Sequence, residues 1–193
     1  MQVDPREFLA LDLRCHSLLG DVPLHDVWTI SLSGGGPGRT MTDVLAVSPL
    51  REDITSSHPA VRALFGLRRA LGTLFGWDRP RQAMPAESYV HRLTTEDRAR
   101  SAVVPGTRRG SFQLLYVFPT EAVAEIRNAT VHAFLVTALV PRPDGHLLYW
   151  AIYVKPTGLL TPLYMALIDP FRHYLVYPVL IRETEAAWAR AYG

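Results

Sequence analysis

The chain has 193 residues, of which 48% are hydrophobic and 20% charged, and its formal net charge is +2 at pH 7. This ordinary globular balance excludes wholesale disorder, and the small charge excludes the strongly basic surface of a nucleic-acid-binding protein. The length predicts one domain over residues 1–193. The single cysteine, Cys15, excludes an intramolecular disulfide and a cysteine-based zinc cluster.

Targeting and membrane signals are missing from the sequence. The N-terminus is polar and acidic, without the basic start and apolar run of a signal peptide. The most apolar region, residues 147–181, is interrupted by prolines and charged residues, so it contains no stretch suited to a transmembrane helix. We therefore expect a cytoplasmic protein without stable membrane insertion, and peripheral membrane contact through this region stays open.

The first predicted elements are an arm, a strand and two helices. The arm covers about residues 1–24 and packs irregularly against the body of the domain. Residues 26–33 alternate between apolar and polar side chains, which predicts a half-buried antiparallel strand. The glycine-rich run 34–38 lacks the Lys-Ser/Thr of a phosphate-binding loop, so we interpret it as a flexible connection. Helices are predicted over residues 41–48 and 57–76, the second from apolar residues at helical spacing.

The second half of the chain changes to a period of two, which is typical of antiparallel strands. Strands are predicted at residues 89–93, 111–118, 122–127, 130–140 and 146–154. Asp144-Gly145 between the last two is a strong β-hairpin signal. Residues 157–192 then predict a helix that is bent or interrupted at its prolines. Because strands and helices are segregated along the chain, we expect an α+β fold, with a curved antiparallel sheet wrapped around a long C-terminal helix.

Short motifs follow one another along about residues 16–185. They are Asp26-Val-Trp28, Leu64–Arg69, Leu74–Trp77, Asn128–His132, Val154-Lys-Pro156, Tyr164-Met, Ile168–His173 and Leu175–Pro178. In content and order they are similar to the bacterial family of uncharacterised proteins DUF2867, and the order of elements resembles the helix-grip fold of the START and Bet v 1-like (SRPBCC) superfamily. The resemblance implies the fold. Related helix-grip proteins bind lipids and hormones or act as aromatase/cyclases in polyketide pathways, an analogy at the level of fold alone.

The predicted sheet supplies the candidate catalytic residues. His132 alternates with apolar residues on its strand, and Tyr149 and Tyr153 share one face of the partner strand. If this face lines a cavity, His132 would act as general acid or base, and one of the tyrosines would donate to a developing oxyanion. The alternative is a core histidine that is hydrogen-bonded to Asn128, Thr130 or the backbone. The sequence does not decide which face of the sheet lines a cavity.

The final helix carries a second set of polar candidates. Asp169 precedes Arg172 by three residues and His173 by four, so the three side chains are neighbours on a helix. Either they hold a substrate carboxylate or phosphate, with arginine as a forked donor, or they form a structural ion pair that fixes the helix against the sheet.

Other polar residues are interpreted as surface. Glu125 and Arg127 alternate along one predicted strand and are expected to form a solvated face. The basic pair Arg108-Arg109 is likewise expected to be solvated. The seven histidines lack the spacing of a metal site, so we expect no metal ion and no organic cofactor.

Aromatic residues on the sheet and the final helix indicate an internal apolar pocket. The predicted ligand-binding residues are Trp28, Tyr116, Phe134, Trp150, Tyr164, Asp169, Arg172 and His173. We favour the hypothesis of a cofactor-independent cyclase, dehydratase or isomerase of polyketide-like metabolism, acting on an apolar small molecule. The alternatives are a non-catalytic carrier of a lipid or metabolite and an interaction module, and a homodimer stays open.

Overall fold

The structure is a computed structural model of the chain. It describes residues 1–48, 87–127, 131–156 and 160–193, the side chains of 160–164 excepted, and three single helical positions at 59, 62 and 66. The helix predicted over 57–76 therefore lies outside the described residues apart from those three positions. Asn128 and Thr130, the partners suggested for His132, also lie outside them.

Six strands of the described residues form one curved antiparallel sheet. They are β1 (Leu24–Ser33), β2 (Arg108–Arg109), β3 (Phe112–Val117), β4 (Glu121–Arg127), β5 (His132–Arg142) and β6 (Gly145–Lys155). Their order across the sheet is β1-β6-β5-β4-β3-β2, so the first strand in the chain pairs with the last. Together with the long C-terminal helix, this sheet confirms the predicted α+β class.

Helices lie before, between and after the strands. Those described are α1 (Pro5–Leu9), α2 (Arg14–Leu18), α3 (Met41–Val47), α4 (Thr95–Arg100), α5 (Leu160–Phe171) and α6 (Tyr177–Tyr192). A 3-10 turn over Tyr89–Arg92 precedes α4, and a π-helical turn over Arg172–Val176 joins α5 to α6. None of the helices among the described residues combines the length and the apolar content that spanning a membrane requires.

Alternate residues of each strand point to opposite sides, so the sheet has two faces. The arm face, which carries Phe134 and Tyr153, is covered by α1, α2 and the 3-10 turn. The helix face, which carries Leu148 and Trp150, is covered by α3 and α6. Each face has its own cluster of buried apolar side chains, and hydrophobic burial on both sides stabilises the sheet.

A buried carboxylate of the sheet is one of the anchors of the N-terminal arm. Glu121 at the start of β4 accepts hydrogen bonds from the backbone N–H groups of Arg14, at 2.7 Å, and Cys15, at 3.2 Å. These N–H groups lie at the start of α2, where Leu13 offers no side-chain cap, so Glu121 satisfies them from across the fold. The Tyr116 hydroxyl donates to the same carboxylate at 3.1 Å.

The strand predicted at 89–93 is wrong, since Tyr89–Arg92 forms the 3-10 turn instead. Side chains satisfy its backbone groups in place of a neighbouring strand: Ser88 Oγ accepts from the Val90 N–H at 3.2 Å. Glu125 on β4 accepts from the Tyr89 N–H at 3.1 Å. The residues are apolar enough for a strand, but local capping decides their conformation.

The C-terminal helix continues past Pro178 by means of the π-helical turn. Here the Tyr177 N–H donates to the Arg172 carbonyl, five residues back. Pro178, which follows, has no N–H and its ring crowds the carbonyl four residues earlier, so the wider turn accommodates it. Beyond this turn, α6 buries Leu180 and Trp188 against the helix face.

Candidate functional site

The sheet divides the predicted site residues between its two faces. The arm face carries the three predicted catalytic residues and two predicted ligand contacts: His132, Tyr149, Tyr153, Tyr116 and Phe134. The helix face carries or contacts five others: Trp28, Trp150, Asp169, Arg172 and His173. The side chain of Tyr164 lies outside the described residues. Because the sheet separates the two groups, they do not line one common pocket.

His132 pairs with a buried carboxylate on the neighbouring strand. Its Nε2 atom lies 3.0 Å from Oε2 of Glu125, and each residue is 1% exposed. The prediction of a solvated face at Glu125 is wrong, because the turn that contains Ser88 and Tyr89 covers it and hydrogen-bonds to its carboxylate. Sequence alternation predicts Glu125 at the surface, and only the packing of the Ser88–Tyr89 turn on β4 shows that Glu125 is buried.

The Glu125 carboxylate is held in its charged form. Burial opposes ionisation, but hydrogen bonds from His132 and from the Ser88–Tyr89 turn, with the nearby Arg127 charge, outweigh it and hold the pKa of Glu125 below 4.5. An ionised carboxylate only accepts hydrogen bonds, so Nε2 of His132 carries the proton. Nδ1 is buried with no hydrogen-bond partner among the described residues. Nδ1 is therefore the ring nitrogen left with an unused lone pair.

An ionic network closes the end of the arm face beside His132. The Tyr89 ring lies edge-on to the imidazole, with 5.3 Å between ring centroids. The Tyr89 hydroxyl contacts Nζ of Lys155 at 2.7 Å and Oδ2 of Asp21 at 2.9 Å. Arg92 donates to the same carboxylate at 2.9 Å, and this hydrogen bond is the main cause of the lowered pKa of Asp21. The single lysine of the sequence thus helps to shield His132 from solvent.

The two candidate tyrosines pack against the arm. Their rings lie near that of Phe8, with centroids 6.1 Å away for Tyr149 and 6.4 Å away for Tyr153. Burial raises the pKa of Tyr153 well above its ordinary value of 10.0, so its hydroxyl is neutral at physiological pH. That hydroxyl is buried without a partner in the described part of the chain. The assignment of Tyr149 and Tyr153 as oxyanion donors stays a prediction.

A buried arginine links the final helix to β1. Nη2 of Arg172 lies 3.2 Å from Oδ2 of Asp26, and Nη1 lies 2.6 Å from Oδ1 of Asp169. Nη2 also donates to the Tyr177 hydroxyl. Asp169 and Arg172 are in contact, as their spacing predicts. Because protein acceptors already occupy the guanidinium, the structural ion pair describes Arg172 better than an anion-binding fork. The sequence analysis does not predict Asp26 as a partner of Arg172, although an acidic residue within a mostly apolar strand could have indicated it.

Two half-exposed histidines complete the Arg172 cluster, which comprises His25, Asp26, Asp169, Arg172 and His173. Nε2 of His25 lies 2.9 Å from Oδ2 of Asp169, and Nε2 of His173 lies 3.2 Å from Oδ2 of Asp26. Burial opposes ionisation of Asp169, but the His25 hydrogen bond and the charge of Arg172 lower its pKa. In the described residues, no group of three or more acidic, histidine or cysteine side chains is arranged to hold a metal ion.

The helix face contains a pocket beside α3. Its volume is about 350 Å³, and it is lined by Thr42, Leu45, Ala46, Val103, Arg109 and Val117. A recess of about 30 Å³ shares two of these residues and extends along the sheet, where its lining is Leu45, Arg109, Phe112, Leu114, Ala122, Ala124, Leu135 and Thr137. Arg109 is the one charged residue among the described residues of these linings. We call the two spaces together the α3 pocket.

Arg109 departs from the prediction that the pair Arg108-Arg109 is solvated. Arg108 is exposed, whereas Arg109 is half-buried. The Nη1 atom of Arg109 is buried and has no hydrogen-bond partner among the residues that the structure describes. The two arginines form β2, which pairs with β3 through Arg109 and Phe112. Successive side chains of a strand point to opposite sides, so one arginine lines the pocket and the other meets solvent. A two-residue strand leaves no periodic signal in the sequence.

Comparison with known proteins gives a family and no characterised relative. Residues 18–179 match the family described as "Protein of unknown function (DUF2867)". The chain belongs to the DUF2867 family. No curated protein and no solved structure matches the chain. The DUF2867 match therefore confirms the family resemblance read from the sequence motifs, and it assigns no activity.

The DUF2867 match includes the two polar clusters described above and the α3 pocket. It extends from α2 to the start of α6 and so contains the Glu125–His132 pair, the Arg172 cluster and Arg109. Two of the motifs that carry the resemblance, Asp26-Val-Trp28 and Ile168–His173, meet at the Arg172 cluster although 146 residues separate Asp26 from Arg172. The contact between Asp26 and Arg172 joins the final helix to the sheet.

Proposed function

We propose that this DUF2867 protein binds an apolar small molecule in the α3 pocket. The observation that carries the proposal is a concave space of about 350 Å³, whose described wall residues are mostly apolar and include one charged side chain. Small-molecule sites have volumes of roughly 300–1,000 Å³ and combine hydrophobic walls with a few polar groups that orient the ligand. The pocket lies at the lower end of this range, so the ligand is a small one.

The walls of the pocket suit the apolar part of such a ligand. Leu45 and Val117 are buried, and the recess continues along apolar side chains of the sheet. Thr42 and Ala46 are exposed on α3 and lie at the mouth. Transfer of apolar ligand surface from water to these walls stabilises the complex by roughly 25 cal/mol per Å².

The helix-grip assignment belongs to the same proposal. It is supported by the strand order β1-β6-β5-β4-β3-β2 and by the long C-terminal helix, of which α6 packs across one face of the sheet. The interior of such a grip is the face that the helix covers, and the α3 pocket opens on that face. The arm face would then be the outer face, which the N-terminal helices cover.

A second candidate is the cofactor-independent cyclase, dehydratase or isomerase. The observation that favours it is the buried pair of Glu125 and His132, in which Nδ1 of His132 has no partner among the described residues. In this reading the carboxylate orients the ring and Nδ1 exchanges a proton with substrate. Access requires displacement of Tyr89 and its network, so ligand binding in the α3 pocket is the better supported function.

The binding proposal is tested with a neutral apolar dye, N-phenyl-1-naphthylamine, titrated by fluorescence. Ala46→Phe at the mouth of the pocket should weaken dye binding at least about tenfold because the larger ring occupies the entrance. Ala186→Phe makes the same change at an exposed position of α6 and should bind like wild type. The proposal fails if wild type does not bind the dye, or if Ala46→Phe binds as tightly as Ala186→Phe.

Native mass spectrometry of freshly purified protein separates the two candidates. A co-purified molecule that remains unchanged on incubation supports a carrier. A molecule that the protein converts, with loss of conversion in His132→Gln and not in Ala46→Ser, supports the enzyme acting at His132.

A further inference from the structure

We infer that the ligand of the α3 pocket is an apolar carboxylic acid whose carboxylate pairs with Arg109. This inference rests on the proposed function, since it names the class of molecule that the same pocket binds. It depends on three observations about the described residues: Nη1 of Arg109 is buried without a partner, the pocket lining has no acid, and the lining has few other polar groups.

The guanidinium of Arg109 is the first observation. Its Nη1 atom is buried, and within the described part of the chain Arg109 has neither a hydrogen-bond partner at that atom nor an ion pair. A buried charged donor without a partner is strongly unfavourable, so such groups are normally paired. Arginine is always charged in a protein, so deprotonation does not relieve this cost.

Other arginines of the chain show the pairing that Arg109 lacks. Arg14 binds Asp97 at 2.9 Å, Arg92 binds Asp21 at 2.5 Å, and Arg172 binds both Asp26 and Asp169. In each case a carboxylate of the protein satisfies the guanidinium. On the pocket side of Arg109, the described lining residues supply no such carboxylate, because none of them is an Asp or Glu.

The remaining lining residues limit the charge of the head group. Among the described lining residues, Thr42 and Thr137 are the only others whose side chains have polar atoms. The Thr137 hydroxyl already contacts the sulfur of Met41 at 3.4 Å. One guanidinium neutralises one negative charge and matches a carboxylate through two parallel hydrogen bonds. A phosphate dianion would keep a second, unpaired charge beside apolar walls, which is costly. The lining therefore favours a monocarboxylate with an apolar body.

Three probes with the same alkyl chain test the sign of the head group. Octanoate, octan-1-ol and octylammonium are titrated near neutral pH by displacement of N-phenyl-1-naphthylamine from the full chain. We expect octanoate to bind at least about tenfold more tightly than octan-1-ol, in line with the strength of a hydrogen bond between charged groups. Octylammonium should bind more weakly than octan-1-ol because its charge repels Arg109.

Two arginine variants assign the effect to one side chain. Arg109→Gln should bind octanoate no better than octan-1-ol and should still bind the neutral dye, which reports that the pocket is intact. Arg108→Gln removes the exposed neighbour, with the same change in net charge, and should keep the preference for octanoate. Arg109→Lys keeps the charge without the fork and should show an intermediate preference.

The outcomes separate this inference from the proposed function. If the dye and octan-1-ol bind but octanoate has no advantage, the inference is overturned and the binding function stands. The inference is likewise overturned if Arg108→Gln and Arg109→Gln reduce octanoate binding equally. If the dye does not bind to wild type, the proposed function fails first and the inference fails with it.

Discussion

Nε2 of His132 lies 3.0 Å from Oε2 of Glu125, and neither side chain is more than 1% exposed. The pair consists of a charged carboxylate and an imidazole on neighbouring strands. The Ser88–Tyr89 turn covers it on the arm face. A buried carboxylate of this kind is stable only while its hydrogen bonds persist. The relationship therefore has consequences for stability whether or not His132 also transfers protons.

Glu125→Gln should destabilise the fold by about 3 kcal/mol at pH 7, because it removes the charge that His132 and the Ser88–Tyr89 turn satisfy. The pKa of Glu125 is lowered in the folded state. Its contribution to stability is therefore complete above pH 4.5, the ordinary pKa of the group, and is lost as pH falls through the lower folded pKa. Urea unfolding at a series of pH values should show a difference between the two proteins that shrinks on acidification.

The matched control for this series is Glu96→Gln. Glu96 lies on α4, and its side chain is 79% exposed in its contact with Arg100, so its loss should leave stability and its pH dependence nearly unchanged. A difference between wild type and Glu125→Gln that is equal at every pH would contradict a charged Glu125.

Arg172→Met should destabilise the protein by about 3–5 kcal/mol, since it leaves the carboxylate of Asp26 buried without its cation. The double variant Asp26→Asn/Arg172→Met should be more stable than the sum of the single effects implies, because the uncompensated charge is then absent. Urea denaturation of the four proteins gives the coupling directly. Arg182→Met, at an exposed position of α6, serves as the control and should have little effect.

Additive effects of Asp26→Asn and Arg172→Met would show that the two side chains do not interact in solution. The ion-pair interpretation of the Arg172 cluster would then be withdrawn, and the anion-binding interpretation of Arg172 would regain support.

The long strands β5 and β6 were predictable because the necessary signals are local. Their alternation and the Asp-Gly turn appear within one stretch of sequence. The face that meets the final helix was not predictable, since both faces of β5 are apolar: Phe134 and Val136 lie on one side, Leu135 and Leu139 on the other. A strand that is buried on both sides gives no periodic signal for its partner.

The parts of the candidate sites that the sequence missed depend on contacts between distant residues. Asp26 and Arg172 are 146 residues apart, and Glu125 reaches a turn 36 residues earlier. Arg109 lines the pocket through the pairing of a two-residue strand. No short stretch of sequence contains both partners of either of the first two contacts, so a local pattern cannot reveal them. The helical spacing of Asp169 and Arg172 was recognised because those two residues are close in sequence.

Glu121→Ala should loosen the N-terminal arm at α2 and expose Cys15 to thiol reagents. In wild type the thiol is fully buried, and burial with the nearby Glu121 charge raises its pKa, so labelling by a maleimide at neutral pH should be slow. Without the Glu121 acceptors for the first N–H groups of α2, we expect labelling to be faster by at least about tenfold, through local opening of the arm. Labelling is followed by mass spectrometry without denaturant.

The control for the arm is Glu7→Ala, which removes an exposed acid from α1 and should label at the wild-type rate. Equal labelling rates in Glu121→Ala and Glu7→Ala would count against the anchor. A variant that is destabilised far from the arm distinguishes opening of the arm from global unfolding.

Gly145→Ala supplies that variant and is itself a prediction. Gly145 has a φ of +146°, a backbone conformation that L residues rarely adopt, and a Cβ there would lie 2.2 Å from the Leu32 carbonyl oxygen. Because that oxygen belongs to the backbone of β1, it has little freedom to move. We expect the free energy of unfolding, measured in urea, to fall by about 2–4 kcal/mol. Cys15 should then be labelled no faster than the whole protein unfolds. Asp144→Ala in the same turn should cost clearly less, and an equal loss would contradict the steric argument.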